Sequence, residues 1–489
     1  MSKDLRLNFD NSFANQMAGF YEACSPEVVS SPRVIRFNAS LAEALDIHVD
    51  PKDAPGIFSG NVIAESASPL AQCYAGHQFG QFSPRLGDGR AHLLGEVITK
   101  RGERFDVQLK GSGRTPFSRG GDGKAALGPV LREYLISEAM WALGIPTTRS
   151  LAAVVTDDVV IRETAKPRAV LTRVAASHIR VGTFEYFAAR GEVEKVKQLA
   201  DYAIARHFSE INNREDKYLA FYIEVIKRQA RLIAQWMSVG FIHGVMNTDN
   251  VSISGETIDY GPCAFMDYYS PDTVFSSIDT YGRYAYENQP KIAHWNLAQL
   301  GRALIALVDP DSKVAIDKLS EALDAFPAIY EENWIELFGQ KVGIADIQDG
   351  DQQLIHDLLE LMADEKVDFT NGFLKLSHFP VDDGKGFLSL FSSNDNVRGW
   401  IERWVKRISD SAGAIDTACS MMQRVNPIYI PRNHKVEEAI HEAVEEKRFD
   451  AFDALLSRIQ EPFRNVEGAE SFARPAPEDF FPYVTFCGT

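Results

Sequence analysis

The sequence predicts an α+β chain of two lobes, strand-rich first and helical second, with an N-terminal lead-in and a helical C-terminal extension. Three observations carry that expectation. Between about 90 and 175, short apolar runs alternate and are broken by Gly, Pro and Asp turns, the strand signature. From about 183 onward, apolar residues recur three and four apart over long stretches, the helix signature. Glycine-rich polar segments such as "GSGRTPFSRGGDGKA" gather in the first region. The expected divisions are a lead-in over 1–60, a strand-rich lobe over 61–165, a helical lobe over 166–330, and an extension with its tail over 331–489. A chain of 489 residues fits two to four domains of roughly 100–200 residues each.

The lead-in is punctuated by Pro32, Pro51 and Pro55. "AHLLGEVITKRGERFDVQLKG" then reads as two strands around a turn at Arg101-Gly102-Glu103. In "LGPVLREYLISEAMWALG" the apolar residues Leu127, Val130, Leu131, Tyr134 and Leu135 share one helical face, and Gly144-Ile145-Pro146 stops the helix. "AAVVTDDVVIRE" and "RAVLTRVA" return to strand patterning. "VEKVKQLADYAIARHF" and "KYLAFYIEVIKRQARLIAQWMSVG" begin the helical region, which continues to about 460. The tail beyond Pro462 holds several prolines and ends "YVTFCGT". No internal repeat or low-complexity segment is present.

Composition narrows the function. Apolar residues make up 45% and charged residues 24%, ordinary for a soluble globular protein. Lys plus Arg number 51 against 68 Asp plus Glu, a net charge of −17. That balance opposes wholesale binding to nucleic acid or an anionic membrane, although a phosphate pocket needs only a few cations. "MSKDLRLNFDNSF" lacks the apolar core of a secretory signal, and no apolar run approaches the length of a membrane span. Five scattered cysteines do not make a secreted disulfide framework, and no C-x-x-C suggests zinc. The expectation is a cytoplasmic enzyme.

The densest chemistry lies in "HGVMNTDNVSISGETIDYG", residues 243–261. Protein kinases carry H-R-D-x-x-x-x-N and then D-F-G. Here His243 opens the loop, Asn250 follows at the kinase spacing, and Asp259-Tyr260-Gly261 stands for D-F-G. Val245 occupies the position of the kinase's catalytic Asp. "VSIS" and "TID" read as two strands around a turn, which would bring Asn250 and Asp259 to one end. A carbonyl oxygen and a carboxylate there suit magnesium, which completes its shell with phosphate and water. Asp249 adds a second carboxylate. Alone, D-N and D-Y-G are ordinary turn sequences. With a long helix before them and a strand-rich lobe upstream, they point to a kinase-like two-lobed fold.

Phosphate-binding candidates precede this loop. "RLGDGRA" places Gly87 and Gly89 where backbone N–H groups can approach phosphate, with Arg90 beside them, although a plain glycine turn reads the same way. Lys110 ends a strand, as does the kinase lysine that pairs with phosphates and a helix glutamate. Glu133 and Glu138 both follow on a helix, and helical phase does not choose between them. Asp122 and Gly123 sit in a second glycine cluster. Arg173 and Arg180 follow, and would ordinarily be surface ion pairs.

"YAGHQFGQFSPRLGDGRAHLLGE", "QLKGSGRTPFSRGGDGKAAL", "LREYLISEAMWALGIPTT", "HGVMNTDN", "IDYGPCAFMD" and "NPIYIPRNH" together resemble the selenoprotein O family over nearly the full length. The resemblance implies a kinase-like fold with an altered active site. It also implies a protein adenylyltransferase that moves AMP from ATP to Ser, Thr or Tyr hydroxyls, with ATP reversed relative to a kinase. UMP transfer from UTP with Mn2+ is attributed to bacterial members, so Mg2+ or Mn2+ is the expected metal. Gly87, Gly89 and Arg90 would contact the nucleotide, Lys110 would hold phosphate and pair with Glu133, and Asp122 and Gly123 would line the site. Arg173 and Arg180 would bind phosphates, Asp249 would accept the proton, and Asn250 and Asp259 would hold the metal, Asp259 also touching ATP. A redox-active residue at the tail position of Cys487 is implied too, with Cys263 as the partner within reach.

Two other readings stand beside this one. A conventional phosphotransferase would use Asp249 as its base. A non-catalytic ATP-binding scaffold is the usual outcome for a kinase-like chain without its Asp, but Lys110, Asn250 and Asp259 speak against it.

Overall fold

The computed structural model describes residues 7–392, 394–410 and 415–486. It has a mixed α/β architecture. Its largest sheet is eight-stranded and antiparallel. In chain order the strands of the protein are β1 (Tyr21–Ala23), β2 (Arg33–Phe37), β3 (Leu70–Gln72), β4 (Gly76–Gln78), β5 (Gln81–Ser83), β6 (Ala91–Ile98), β7 (Arg104–Lys110), β8 (Ala125–Ala126), β9 (Arg149–Ile161), β10 (Ala165–Ala175), β11 (Phe241–Ile242) and β12 (Ala264–Phe265). The main sheet runs β1-β3-β6-β7-β10-β9-β2, with β8 joined to β10; β4–β5 and β11–β12 are separate small ribbons.

Both faces of this sheet are buried. Successive strand residues point to opposite sides. Leu93 therefore joins one core while Leu94 joins another. The first core is capped by α1 (Leu127–Ala142), which contributes Leu127, Val130, Leu131, Tyr134 and Leu135. Lead-in residues Leu41, Leu45, Ile57 and Phe58 cover the second, against Val107, Leu109, Val154 and Val170. The lead-in also supplies the strands at both edges, β1 and β2. Residues 7–60 thus contribute a layer of the sheet's own core. Strand β10 lies inside the sheet, between β7 and β9, so the strand-rich part runs on to Ala175. Just past the end of α1, Gly144 has a φ of 77°, which suits a residue without Cβ, and Ile145 N–H closes the turn on Met140 O at 2.9 Å.

Helices form the rest. They include α2 (Val181–Ala188), α3 (Lys217–Ser238), α4 (Gln289–Val308), α5 (Phe326–Lys341), α6 (Asn433–His441) and α7 (Asp450–Ile459). The apolar face of α3 carries Phe221, Val225, Ile226 and Ala230 into the core. At its end Gly240 (φ 70°) turns the chain into β11. Pairing of β11 with β12 closes a loop over 243–263 and fixes both of its ends.

One local expectation is corrected here. "VSIS" and "TID" do not pair with each other. Val251 O accepts from Val181 N at 2.9 Å and Ile253 N donates to Ile179 O at 3.0 Å, while Thr257 N donates to Pro146 O at 2.9 Å. Each half of the loop finds its backbone partners in a different segment, and only the turn at Gly255 remains local. Among the described residues, no helix is long and apolar enough to cross a membrane.

Lys341, at the end of α5, is 3% exposed and has a titration consequence. Its Nζ donates to Asn426 Oδ1 at 2.9 Å and lies 4.4 Å from the centre of the Phe373 ring. Burial lowers its pKa from 10.5 to about 7. Between those values the unfolded chain holds a proton that the folded one has shed, so stability gains with rising pH across that window. Lys341→Met should raise the melting temperature most at pH 7 and progressively less toward pH 10. Parallel melting curves for the two proteins over that range would refute the effect.

Candidate active site

A cavity of about 530 Å³ opens between the main sheet, α1 and the 243–261 loop. Lys110 enters it from the end of β7. Its Nζ lies 2.6 Å from Glu133 Oε2 on α1 and 2.7 Å from Asp259 Oδ1. Glu138, one and a half turns along the same helix, faces away. It takes a two-pronged contact from Arg149, both bonds at 2.7 Å, and another from Asn38 Nδ2 at 2.7 Å.

Three cations converge on Asp259. Besides Lys110, Arg173 Nη1 donates to Oδ1 at 2.6 Å and Arg180 Nη1 to Oδ2 at 2.5 Å. Burial by itself would raise the carboxyl's pKa, but Lys110, Arg180 and Arg173 outweigh it and hold Asp259 well below the ordinary carboxylate value. Its φ is 65°, a left-handed conformation that Asp tolerates better than most residues. Each arginine has further anchors. Arg173 bonds Gln108 Oε1 at 2.6 Å, and Arg180 bonds Asp249 O at 2.6 Å and lies 4.7 Å over the Tyr74 ring.

Asp249 is 8% exposed, on a single turn of 3-10 helix over Thr248–Asn250. Its Oδ2 has Gln78 Nε2 at 3.4 Å, and its Oδ1 is buried with no hydrogen-bond partner. Burial raises its pKa to about 6, with Arg180 opposing. Two glycines make room for it. A Cβ on Gly76 would stand 2.5 Å from Asp249 Oδ1, and one on Gly182 would stand 3.3 Å from its Cα. Thr248 is tied to Glu185, which also holds His77 Nδ1 at 2.5 Å. Asn250 Nδ2 donates to Val245 O at 2.9 Å, which fixes the amide. His243 is structural: it stacks on Trp236, burial keeps its pKa low, and Nε2 donates to Ile258 O at 2.9 Å.

The donor set suits a hard divalent cation. Asn250, Asp259 and Asp249 all line the cavity and bring oxygen donors to it, and the Oδ1 of Asp249 is buried against Gly76 with no hydrogen-bond partner. Among the described residues, no group of three or more His, Cys, Asp or Glu side chains stands ready to hold a metal by itself.

The chain matches the family model described as "Protein adenylyltransferase SelO" over residues 3–460. The chain belongs to the SelO family. Two relatives named protein nucleotidyltransferase YdiU support this. The one from Cereibacter sphaeroides is 53% identical over 489 residues, spanning 99% of this chain and 100% of the relative. The one from Rhizobium etli is 51% identical over 485 residues, spanning 98% and 97%. Membership in the SelO family makes the chain an enzyme that transfers a nucleotidyl group onto proteins.

The other nucleotide-contacting residues expected from the sequence lie around this cluster and line the cavity. Gly87 (φ 78°) lies against Phe117, whose ring would be 2.3 Å from a Cβ there, and a Cβ on Gly89 would meet Phe117 O at 2.9 Å. Gly123 (φ 69°) touches the Gly113 backbone, where a Cβ would come within 2.2 Å. Arg90 and Asp122 line the cavity, Asp122 paired with Arg162 at 2.8 Å. Asp88, Arg162 and Gln78 also line the cavity, although no motif in the sequence marks them for it. Asp88 is 2% exposed, accepts from Gln72 N at 3.1 Å and Gln108 Nε2 at 3.2 Å, and is pushed up in pKa by burial. It was visible between two glycines, and Gln78 within "GHQFG"; Arg162 carried no local signal. Cys263 is buried with a free thiol, its pKa pushed up by burial to about 12. Cys487 lies outside the described residues.

Proposed function

We propose that the cavity binds a nucleoside triphosphate, ATP or UTP, together with Mg2+ or Mn2+, and transfers its nucleotidyl group to a Ser, Thr or Tyr hydroxyl of a protein. The observation that carries this reading is the convergence of Lys110, Arg173 and Arg180 on Asp259 beside a buried, partnerless carboxylate oxygen of Asp249. In a chain of net charge −17, such a concentration of cations calls for anionic phosphates.

In this mechanism Lys110, Arg173 and Arg180 hold the phosphates and offset the charge that grows as the bond to pyrophosphate stretches. Glu133 keeps Lys110 aimed into the cavity. The backbone near Gly87 and Gly89, with Arg90, cradles the nucleotide, and Asp122 and Gly123 line its far side. The acceptor oxygen attacks the α-phosphorus, its proton passes to Asp249, and pyrophosphate leaves. Asn250 and Asp259 would hold the divalent cation, which would supply Lewis-acid charge neutralisation at the phosphates. The Lys110–Glu133 pair and Asp259-Tyr260-Gly261 favour a kinase-like fold in which Asp249, not position 245, carries the base.

Labelled ATP separates the possible reactions. With Mg2+ or Mn2+, α-phosphate label should become bound to protein and intact mass should rise by one adenylyl group. Incorporation of γ-label with a phosphate-sized increment would make the chain a phosphotransferase instead. Binding of ATP with no incorporation of either label would make it a scaffold.

A further inference from the structure

Helix α1 carries a charged residue of opposite sign next to Glu133. Arg132 is directed toward the C-terminal part of the chain, with a side chain only 13% exposed. It pairs with Glu437 on α6, and its Nη1 donates to Tyr483 Oη at 3.2 Å. Tyr483 in turn donates to Glu437 Oε1 at 2.6 Å. One carboxylate oxygen thus ties together the helix that bears Glu133, the helical extension and the C-terminal tail.

Each partner is itself fixed. At the start of α6, Asn433 Nδ2 donates to Phe265 O at 2.8 Å, and the preceding Arg432 is fully buried between Asp267 at 2.7 Å and Asp368 at 2.6 Å. The Tyr483 ring stacks on Phe480 with centres 4.9 Å apart. Two residues later, Thr485 N donates to Phe275 O at 2.8 Å and Thr485 Oγ1 to Pro262 O at 2.7 Å. Pro262 follows Asp259 by three residues. The tail therefore reaches both ends of the Glu133–Lys110–Asp259 chain, through Arg132 at one end and Pro262 at the other.

We infer that Arg132 is a positioning residue. With Glu437 and Tyr483 it holds α1 where Glu133 meets Lys110, which makes the extension and tail part of the active-site frame. Loss of this clamp lets α1 shift, and Lys110, released by Glu133, falls back on Asp259 and is withdrawn from the nucleotide. This inference rests on the role given to Lys110 above.

Charge reversal tests it in the full-length protein. Arg132→Glu and Glu437→Arg should each raise the KM for ATP and lower kcat, with a combined loss of about tenfold, the scale of one charged hydrogen bond. The double variant should recover most of the loss, a rescue that general weakening of the fold would not give. Tyr483→Phe keeps the stacked ring and removes only the hydroxyl, and it should cost roughly half that effect on a logarithmic scale. It decides the matter if the reversed variants fail to fold. A folded Tyr483→Phe protein with wild-type kcat and KM overturns the inference, as does a double variant no better than the singles. Lys110→Ala is assayed alongside. Wild-type activity in that variant would mean that the reading of the cavity itself has failed. Lost activity there, with full activity in the Arg132, Glu437 and Tyr483 variants, would refute the clamp alone.

Discussion

Asp259→Ala should abolish transfer and, before any nucleotide is added, should loosen the protein. The two effects have one cause. Lys110, Arg173 and Arg180 share this carboxylate at 2.5–2.7 Å, and Arg173 and Arg180 are almost wholly buried. Removing one partner of a buried ion pair typically costs about 3–5 kcal/mol, because the charge left behind has lost both water and its counter-ion. Transfer should fall by roughly 10²–10³-fold or more, the scale set by removing a group that organises charge around a reacting phosphate or carbonyl. The distinctive outcome concerns ATP without metal. A triphosphate can replace the missing carboxylate among the three cations, so ATP should raise the melting temperature of Asp259→Ala by more than it raises that of the wild type. An equal or smaller shift would show that the three cations do not form the phosphate site.

Asp249→Asn should separate binding from chemistry. The substitution preserves shape in a tight place, since Gly76 presses on this side chain and Gly182 on its backbone. A positioned base contributes roughly 10²–10⁴-fold, and transfer should drop within that range while the affinity for ATP changes little. Direct binding measurements beside turnover will check this. Full turnover by Asp249→Asn would remove the residue from its role, and affinity lost in parallel with turnover would make it a nucleotide ligand instead.

The strands were legible because turn residues such as Arg101-Gly102-Glu103 punctuate them and because β-patterning is local. What covers the second face of the sheet was not legible. Leu94 and Leu109 announce a buried face, but nothing near them in sequence says that Leu41, Ile57 and Phe58 will fill it. The misread hairpin has the same origin. An extended backbone pattern in "VSIS" shows that its N–H and C=O groups need partners, not that Ile179 and Val181 supply them. At the site, residue types and their spacing exposed Lys110, Asp249, Asn250 and Asp259 without any coordinates. The choice of Glu133 over Glu138 needed more. Five residues separate them by about 140° around the helix, and only the packing of α1 says which side meets Lys110. Arg162 and Gln78 depend entirely on contacts between distant segments, with Asp122 and with Asp249.

The edge strands of the main sheet carry a consequence for how the protein is made. Strand β2 (Arg33–Phe37) pairs with β9 (Arg149–Ile161), more than a hundred residues downstream. On a ribosome adding about 5–20 residues per second, the nascent chain therefore holds β2 without its partner for several seconds at least. The apolar helices that will line the second face wait with it, since β6, β7 and β10 must also emerge before that layer has anything to cover. Contacts this distant in sequence form slowly and leave sticky surface open meanwhile. Residues 7–60 therefore stay without their layer partners until the chain has been made as far as Ala175, and protection of the unfinished chain by chaperones matters over that interval.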